Sequence, residues 1–433
     1  MTEGEHVALR PSKELLNRAK KRTKPKSARK GEPPFLMTDE MRRLSTPWSV
    51  ASIRAEQIDP LVLPAGVILD AAAGSGVQLI AYSKILKRPA LGIELDEGIA
   101  ELCAANMHLN SEGDVQRSLD RVLVGDGVSA DSAISAYWAS LREGGTRAHP
   151  PIAMLHLDPA RPKDAQSHSI EEMKPDLKSV IKAWSKHLHT GPRGPAVLLD
   201  LSPRLDSVQR AMIDGILETC FPGCGWTWEW LSRGGGRVDR LSVWVGSISS
   251  KKGRRCLRIG RKRVMASIEG TPATPHAVAF NKPPDFGAWI SIIDPVLFES
   301  GLQKSWLNRA ITGGTGSSWV RTEGRRPLLI HTDPLAEEED VRGFVVATGQ
   351  IAQHRLTPPE LHTIDLVASA AASNGIGKIT LRCGLDPSLH PTLQRRLDKA
   401  LKEVDGDRAF MIDMDLVRGG TGHTLYVICR EHH

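Results

Sequence analysis

The sequence predicts an α/β protein: a doubly wound, mostly parallel sheet with an antiparallel final strand, followed by a small C-terminal α+β domain. Three observations lead there. Short apolar runs alternate with helix-like segments from residue 67 to residue 201, and small or acidic clusters follow the runs. Past residue 343 a second, separate alternation begins.

Val67-Ile68-Leu69-Asp70 reads as a buried strand running into the small-residue turn Ala71 to Gly76, and Val77 to Leu86 reads as the helix behind it. Glycines in such a turn let the backbone approach a ligand and leave helix N–H groups aimed at it. Ala90 to Leu95 is a second strand bearing Glu94, and Arg121 to Val124 a third, delivering Gly125-Asp126-Gly127. Ile152 to Leu157 is a fourth, delivering Asp158-Pro159-Ala160-Arg161, and Ala196 to Leu201 a fifth. In doubly wound sheets ligands sit at these carboxyl ends. Ser45 or Thr46 is a good N-cap with Pro47 at the first helical position, predicting a helix over Trp48 to Gln57. Trp226 to Ser232 and Leu241 to Val245 flank the turn Gly234-Gly235-Gly236 as a hairpin. Trp226, Trp228 and Trp230 alternate at period two, so one face is aromatic. Burial under a helix is a better explanation of that face than stacking on nucleobases.

Two ligand classes compete for the rim. A dinucleotide fingerprint needs a small residue three positions after Gly76, where this chain has Leu79. Asp70 at the head of the loop would also repel a pyrophosphate. Asp70, Glu94 and Asp126 together suit a cationic adenosine compound, with Glu94 placed for both ribose hydroxyls. S-adenosylmethionine, with its sulfonium and ammonium and no phosphate, is that compound.

These segments resemble class I S-adenosylmethionine-dependent methyltransferases over residues 45–247, with Ala72 where that family usually has glycine. The resemblance implies that Gly74 and Gly76 approach the methionine and ribose portion. It implies that Asp70 orients the loop and the ammonium end, Glu94 takes the ribose diol and Asp126 takes the adenine amine. Asp158 and Pro159 match the start of the Asp/Asn-Pro-Pro-aromatic motif of amine-methylating relatives, where the acid accepts hydrogen bonds from the target amine. Ala160 and Arg161 replace the proline and the aromatic; Arg161 has a planar fork able to stack or to pair with phosphate. The Asp-Pro-Ala-Arg form and Ser45-Thr46-Pro47 narrow the resemblance, as do Leu198-Leu199-Asp200-Leu201-Ser202-Pro203, the tryptophan hairpin, Asp386-Pro387, Arg395-Arg396 and the final strand Thr424 to Cys429. They are similar to the prokaryotic methyltransferases that carry a C-terminal THUMP-like domain. That group implies RNA methylation, with tRNA as the substrate class. Catalytic roles then fall to Asp158, Pro159 and Arg161.

A chain of 433 residues fits two or three domains. No apolar run approaches the roughly 18 residues that span a bilayer, and the first residues are polar rather than signal-like, so the cytoplasm is the expected compartment and no membrane is expected as a partner. Cys220 and Cys224 stand close without a second pair, so no metal site is expected. The net charge of +7 is concentrated between Arg10 and Lys30 and again over Lys251 to Arg263. Such clusters suit phosphate contacts, so RNA is the expected partner, held by the basic arm and the C-terminal domain. The expected organisation is a mobile basic arm over 1–35, a methyltransferase domain over 36–247, a basic linker and intermediate region over 248–340, and the THUMP-like α+β domain over 341–433. Within the last, the turn Gly419 to Gly422 reads as a hairpin connection rather than a phosphate cradle, and Lys378, Arg382, Arg395 and Arg396 are candidate RNA contacts. Two other functions stay open: a non-catalytic RNA-binding protein that keeps the fold, and a methyltransferase for DNA, protein or a small molecule.

Overall fold

The computed structural model describes residues 5–111, 118–160, 169–311, 316–418 and 421–432. The chain divides into two units: Met1–Glu229, Arg240–Gly253 and Arg261–Arg263 form the first, while Trp230–Asp239, Arg254–Gly260 and Val264–His433 form the second.

Strands β1 (Val7–Leu9), β2 (Val67–Asp70), β3 (Ala90–Glu94), β4 (Arg121–Val124), β5 (Ile152–Leu157), β6 (Ala196–Leu201), β7 (Trp226–Ser232) and β8 (Arg240–Gly246) run in the spatial order β1-β4-β3-β2-β5-β6-β8-β7. Strands β2 to β6 are parallel to their neighbours in this set, and β8 is antiparallel to β6. Every residue of β2, β5 and β6 is buried, as expected of strands covered on both faces. The helices are α1 (Lys13–Arg22), α2 (Asp39–Leu44), α3 (Trp48–Glu56), α4 (Val77–Leu86), α5 (Glu97–Leu109), α6 (Ala130–Glu143), α7 (Leu177–Ser185) and α8 (Ser207–Cys220). Caps begin several of them. Asp96 accepts from the Ile99 N–H at the start of α5, and Asp206 and Gln209 form a reciprocal capping box on α8. Pro47, expected at the first helical position, occupies the N-cap of α3 without a side-chain bond, and Thr46 Oγ1 accepts from Arg240 at 3.3 Å.

Residues 5–35, expected as a mobile arm, are built into the first unit. β1 pairs antiparallel with β4, and α1 buries Leu15, Leu16 and Ala19 while Arg18 and Arg22 pair with Glu101 of α5. The apolar positions lie at helical spacing within the charge run, and that stripe supplies the docking face. The cations remain outside: Lys13, Lys20, Lys21, Lys24, Lys26, Arg29 and Lys30 are exposed. The tryptophan face is covered, as expected, because Asp214 of α8 accepts from the indoles of Trp226 at 2.7 Å and Trp228 at 2.9 Å.

The second unit contains the hairpin β9 (Arg254–Ile259) and β10 (Val264–Gly270). Its seven-stranded sheet contains β11 (Trp289–Ile293), β12 (Ser317–Arg321), β13 (Leu328–His331), β14 (Val345–Arg355), β15 (Ile376–Leu381), β16 (Asp407–Arg418) and β17 (Thr421–Glu431), in the order β12-β13-β11-β14-β17-β16-β15. Among the described residues of this sheet, only β15 and β16 pair in parallel. The helices beside these strands among the described residues are α9 (Val296–Glu299), α10 (Gln303–Ala310), α11 (Glu339–Arg342), α12 (Ile364–Ala372) and α13 (His390–Ala400). Strand β16 alternates between two cores. Ala409 and Met411 face the core shared with α12 and α13, while Phe410, Ile412 and Met414 face a second core with Ile290 and Ile292. Residues 248–340, expected as a linker region, instead hold five strands, and three of them belong to the same sheet as the C-terminal elements. In the expected turn Gly419 to Gly422, Gly419 and Gly420 lie outside the described residues, and Val417 pairs with Gly422. No helix among the described residues is long and apolar enough to cross a membrane.

Candidate functional site

Four neighbouring parallel strands, β4, β3, β2 and β5, each lead into one of the acids singled out in the sequence. Asp70 closes β2, Glu94 closes β3, Asp126 follows β4 by two residues, and Asp158 follows β5 directly. The register sets Asp70 opposite Gly92 and His156, and Glu94 opposite Val124. The four acids therefore share one rim, about 14 Å long at a strand spacing of about 4.8 Å.

The turn between β2 and α4 depends on two glycines with positive φ, Gly74 at +50° and Gly76 at +79°. A Cβ at Gly76 would stand 2.8 Å from the buried Cys103 Sγ, whereas at Gly74 nothing lies within 4 Å, leaving that side open. Leu79, which argued against a dinucleotide, is fully buried, and the space it needs comes from β3: a Cβ at Gly92 would meet it at 3.0 Å. The Ala72 N–H donates to Asp70 Oδ1 at 3.1 Å, which ties the loop to its first acid.

Glu94 Oε2 accepts from the Gly74 N–H and Oε1 from the Asp96 N–H, both at 3.0 Å. Burial pushes its carboxyl up, opposed by these two backbone bonds. An ionised carboxylate has about four acceptor positions, so two remain for hydroxyl groups. Asp126 is exposed, and its Oδ1 accepts from the Val128 N–H at 3.0 Å. Asp158 Oδ2 accepts from Gln78 Nε2 at 2.7 Å. Gln78 is the second residue of α4, and its other side-chain atom, Oε1, is buried without a hydrogen-bond partner among the described residues. Pro159 is buried, and Ala160 exchanges backbone bonds with Lys174 at 2.8 and 3.0 Å. Arg161 lies outside the described residues.

Beneath the rim is a charged network that the sequence reading did not assemble. Asp70 Oδ2 meets His156 Nδ1 at 2.9 Å, and His156 Nε2 meets Asp200 Oδ2 at 3.3 Å. Arg54 grips both oxygens of Asp200 at 2.6 and 2.5 Å. Arg54 and His156 are fully buried, and the two acids are 2 % exposed. Burial alone would favour a neutral ring, yet Asp70 and Asp200 outweigh it and push His156 up to about 10. Burial likewise opposes the charge on Asp200, and Arg54 outweighs it, holding the carboxyl far below the usual range. Arg54 and His156 thus face Asp200 and Asp70 as opposite partners, with the buried Glu229 also acting on Arg54, and such pairing lets charged groups stay in the core. The visible signal was a histidine in Ile-Ala-Met-Leu-His-Leu and an aspartate in Val-Leu-Leu-Asp-Leu: polar residues in buried strands need partners.

Without β1, the strand order β4-β3-β2-β5-β6-β8-β7, with β8 antiparallel beside β6, is the class I methyltransferase topology. No family model and no curated protein matches the chain. Among solved structures it is similar to an O-methyltransferase family protein from Burkholderia thailandensis (15 % identity, TM-score 0.31, 49 % of this chain and 59 % of that one). It is also similar to an O-methyltransferase from Bacillus cereus solved with SAH (15 %, TM-score 0.30, 55 % and 92 %). A third is the methyltransferase subunit of a type I restriction-modification system from Streptococcus thermophilus (14 %, TM-score 0.33, 49 % and 47 %). The match spans about three-fifths of the Burkholderia chain and half of the Streptococcus one. All three TM-scores lie below 0.5, and the strand order alone carries the fold assignment.

Proposed function

We propose that the first unit is an S-adenosylmethionine-dependent methyltransferase that modifies a base in RNA, with tRNA as the substrate class. The observation that supports this best is the single rim of four acids beside an open glycine turn. Its donor set fits a cationic adenosine compound: Glu94 keeps acceptor capacity for a diol, and Asp126 is exposed for an amine. Bound there, S-adenosylmethionine supplies an electrophilic methyl group on a sulfonium.

The protein's part is positional, because in-line transfer depends on bringing the acceptor atom onto the line of the departing bond. Asp158 accepts hydrogen bonds from the acceptor amine, and the ring of Pro159 fixes the backbone beside it. Gln78 holds the Asp158 carboxylate in place. Arg161, in the role the resemblance gives it, contacts the substrate. RNA as substrate is supported by the exposed lysines and arginines on and around α1, and by exposed Lys251, Lys252, Arg261, Lys262 and Arg263.

The test is transfer of labelled methyl groups from S-adenosylmethionine to the RNA, DNA and protein fractions of a strain lacking the gene, followed by mass spectrometry of nucleosides. Label in a nucleoside of the small-RNA fraction supports the proposal. Label in DNA or protein alone overturns the substrate, and no label in any fraction overturns the enzyme.

A further inference from the structure

The second unit contains a cleft of about 490 Å³, inside the range of about 300–1,000 Å³ common for small-molecule sites. One wall is the turn between β12 and β13, carrying Arg325 and Arg326. The other is the segment after β15, with Leu385, Pro387 and Pro391 presenting apolar surface. Arg326 joins the two walls, its Nη1 donating to the Cys383 carbonyl at 2.9 Å.

The charge around this cleft is unbalanced. Arg321 is spent on Asp413 at 2.9 Å. Arg325, Arg326 and Arg382 make no ion pair among the described residues, and Arg382 Nε is buried without a hydrogen-bond partner. Burial holds the Arg382 guanidinium, which lies beside Cys383 and outside the lining, below its usual range; Glu431 opposes the shift and the Arg326 charge adds to it. Glu323, the carboxylate on the lining, is exposed. Guanidiniums crowded together are electrostatically costly, and their fork geometry matches phosphate oxygens.

We propose that this cleft binds a phosphorylated, nucleotide-sized ligand, with the phosphate on Arg325 and Arg326 and the base against Leu385, Pro387 and Pro391. A free nucleoside monophosphate and the terminal nucleotide of a strand offer the same chemistry. The site does not depend on methyl transfer by the first unit.

The test uses the full chain in calorimetric titrations at constant salt. The probes are UMP and GMP, the matching nucleosides, and a short oligoribonucleotide with and without a terminal phosphate. Phosphorylated probes are expected to bind and the unphosphorylated ones to bind at least tenfold more weakly; a mononucleotide response assigns the free ligand, and an oligonucleotide-only response the strand end. Arg325→Glu, at an exposed position that preserves folding, and Arg326→Gln are each expected to weaken binding on the order of tenfold or more. Lys304→Ser, at an exposed position on α10 outside the lining, is expected to leave it unchanged. Binding by no phosphorylated probe, wild-type affinity in Arg325→Glu, or an equal loss in the lysine variant would overturn the proposal.

Discussion

Gln78 Nε2 donates to Asp158 Oδ2 at 2.7 Å, joining the first turn of the helix after the glycine loop to the acid after the fourth parallel strand. The glycine turn and the acid proposed to orient the acceptor are thereby held to each other by a side-chain bond. Asp158→Ala is expected to lower methyl transfer on the order of 10²-fold or more, with S-adenosylmethionine affinity little changed. Gln78→Leu keeps the volume but removes the donor, worth about 1.5–3 kcal/mol for a bond to a charged group, so transfer falls about tenfold or more at nearly constant affinity. Single-turnover transfer beside calorimetric binding checks both; wild-type transfer in Asp158→Ala refutes the role.

Arg54 is the keystone of the buried network. Arg54→Ala leaves the Asp200 carboxylate in the core facing only His156, and losing one partner of a buried pair costs about 3–5 kcal/mol. Urea unfolding is expected to show a loss of that size. A change under about 1 kcal/mol, as surface pairs give, would mean that the pair is hydrated rather than buried.

His156 sets a pH dependence whose sign is fixed. Its ordinary value of 6.5 is raised to about 10 in the folded chain, so the folded state holds the proton more tightly than the unfolded one. Its stabilisation is complete below pH 6.5, shrinks as pH rises from there, and is gone once pH passes about 10. Histidine NMR shifts are expected to show an imidazolium at pH 8, with stability declining above neutrality. A His156 titrating at or below 7 would contradict the assignment.

Asp214 serves two indoles at once. Asp214→Ala leaves the N–H groups of Trp226 and the buried Trp228 without their acceptor, a cost of about 1–3 kcal/mol for a buried donor. The thermal midpoint is expected to fall accordingly, with tryptophan emission shifted. An unchanged midpoint would show that water replaces the carboxylate.

Much of the fold was legible because apolar runs and turn residues are local signals. The helix over Val77 to Leu86 and the strands ending at Asp70, Leu157 and Leu201 lie where the sequence places them. The charge run before residue 30 hid its own apolar stripe, Leu15, Leu16 and Ala19, so a docked helix was taken for an arm. The strands between residues 254 and 331 were missed because the segment is rich in loop and basic residues, and sheet pairing is a long-range property. The rim acids were readable from their positions at strand ends. The partners of His156 were not, since Arg54 lies 146 residues before Asp200 and only the folded sheet brings them together.

The rim's preference for a positively charged sulfur cofactor is tested most directly by calorimetric titration of S-adenosylmethionine into the intact protein and into Glu94→Ala. Binding is expected in the wild type, weakened on the order of tenfold or more when the diol's acceptor is removed. No heat at millimolar ligand in the wild type, or equal affinity in the two proteins, would contradict it.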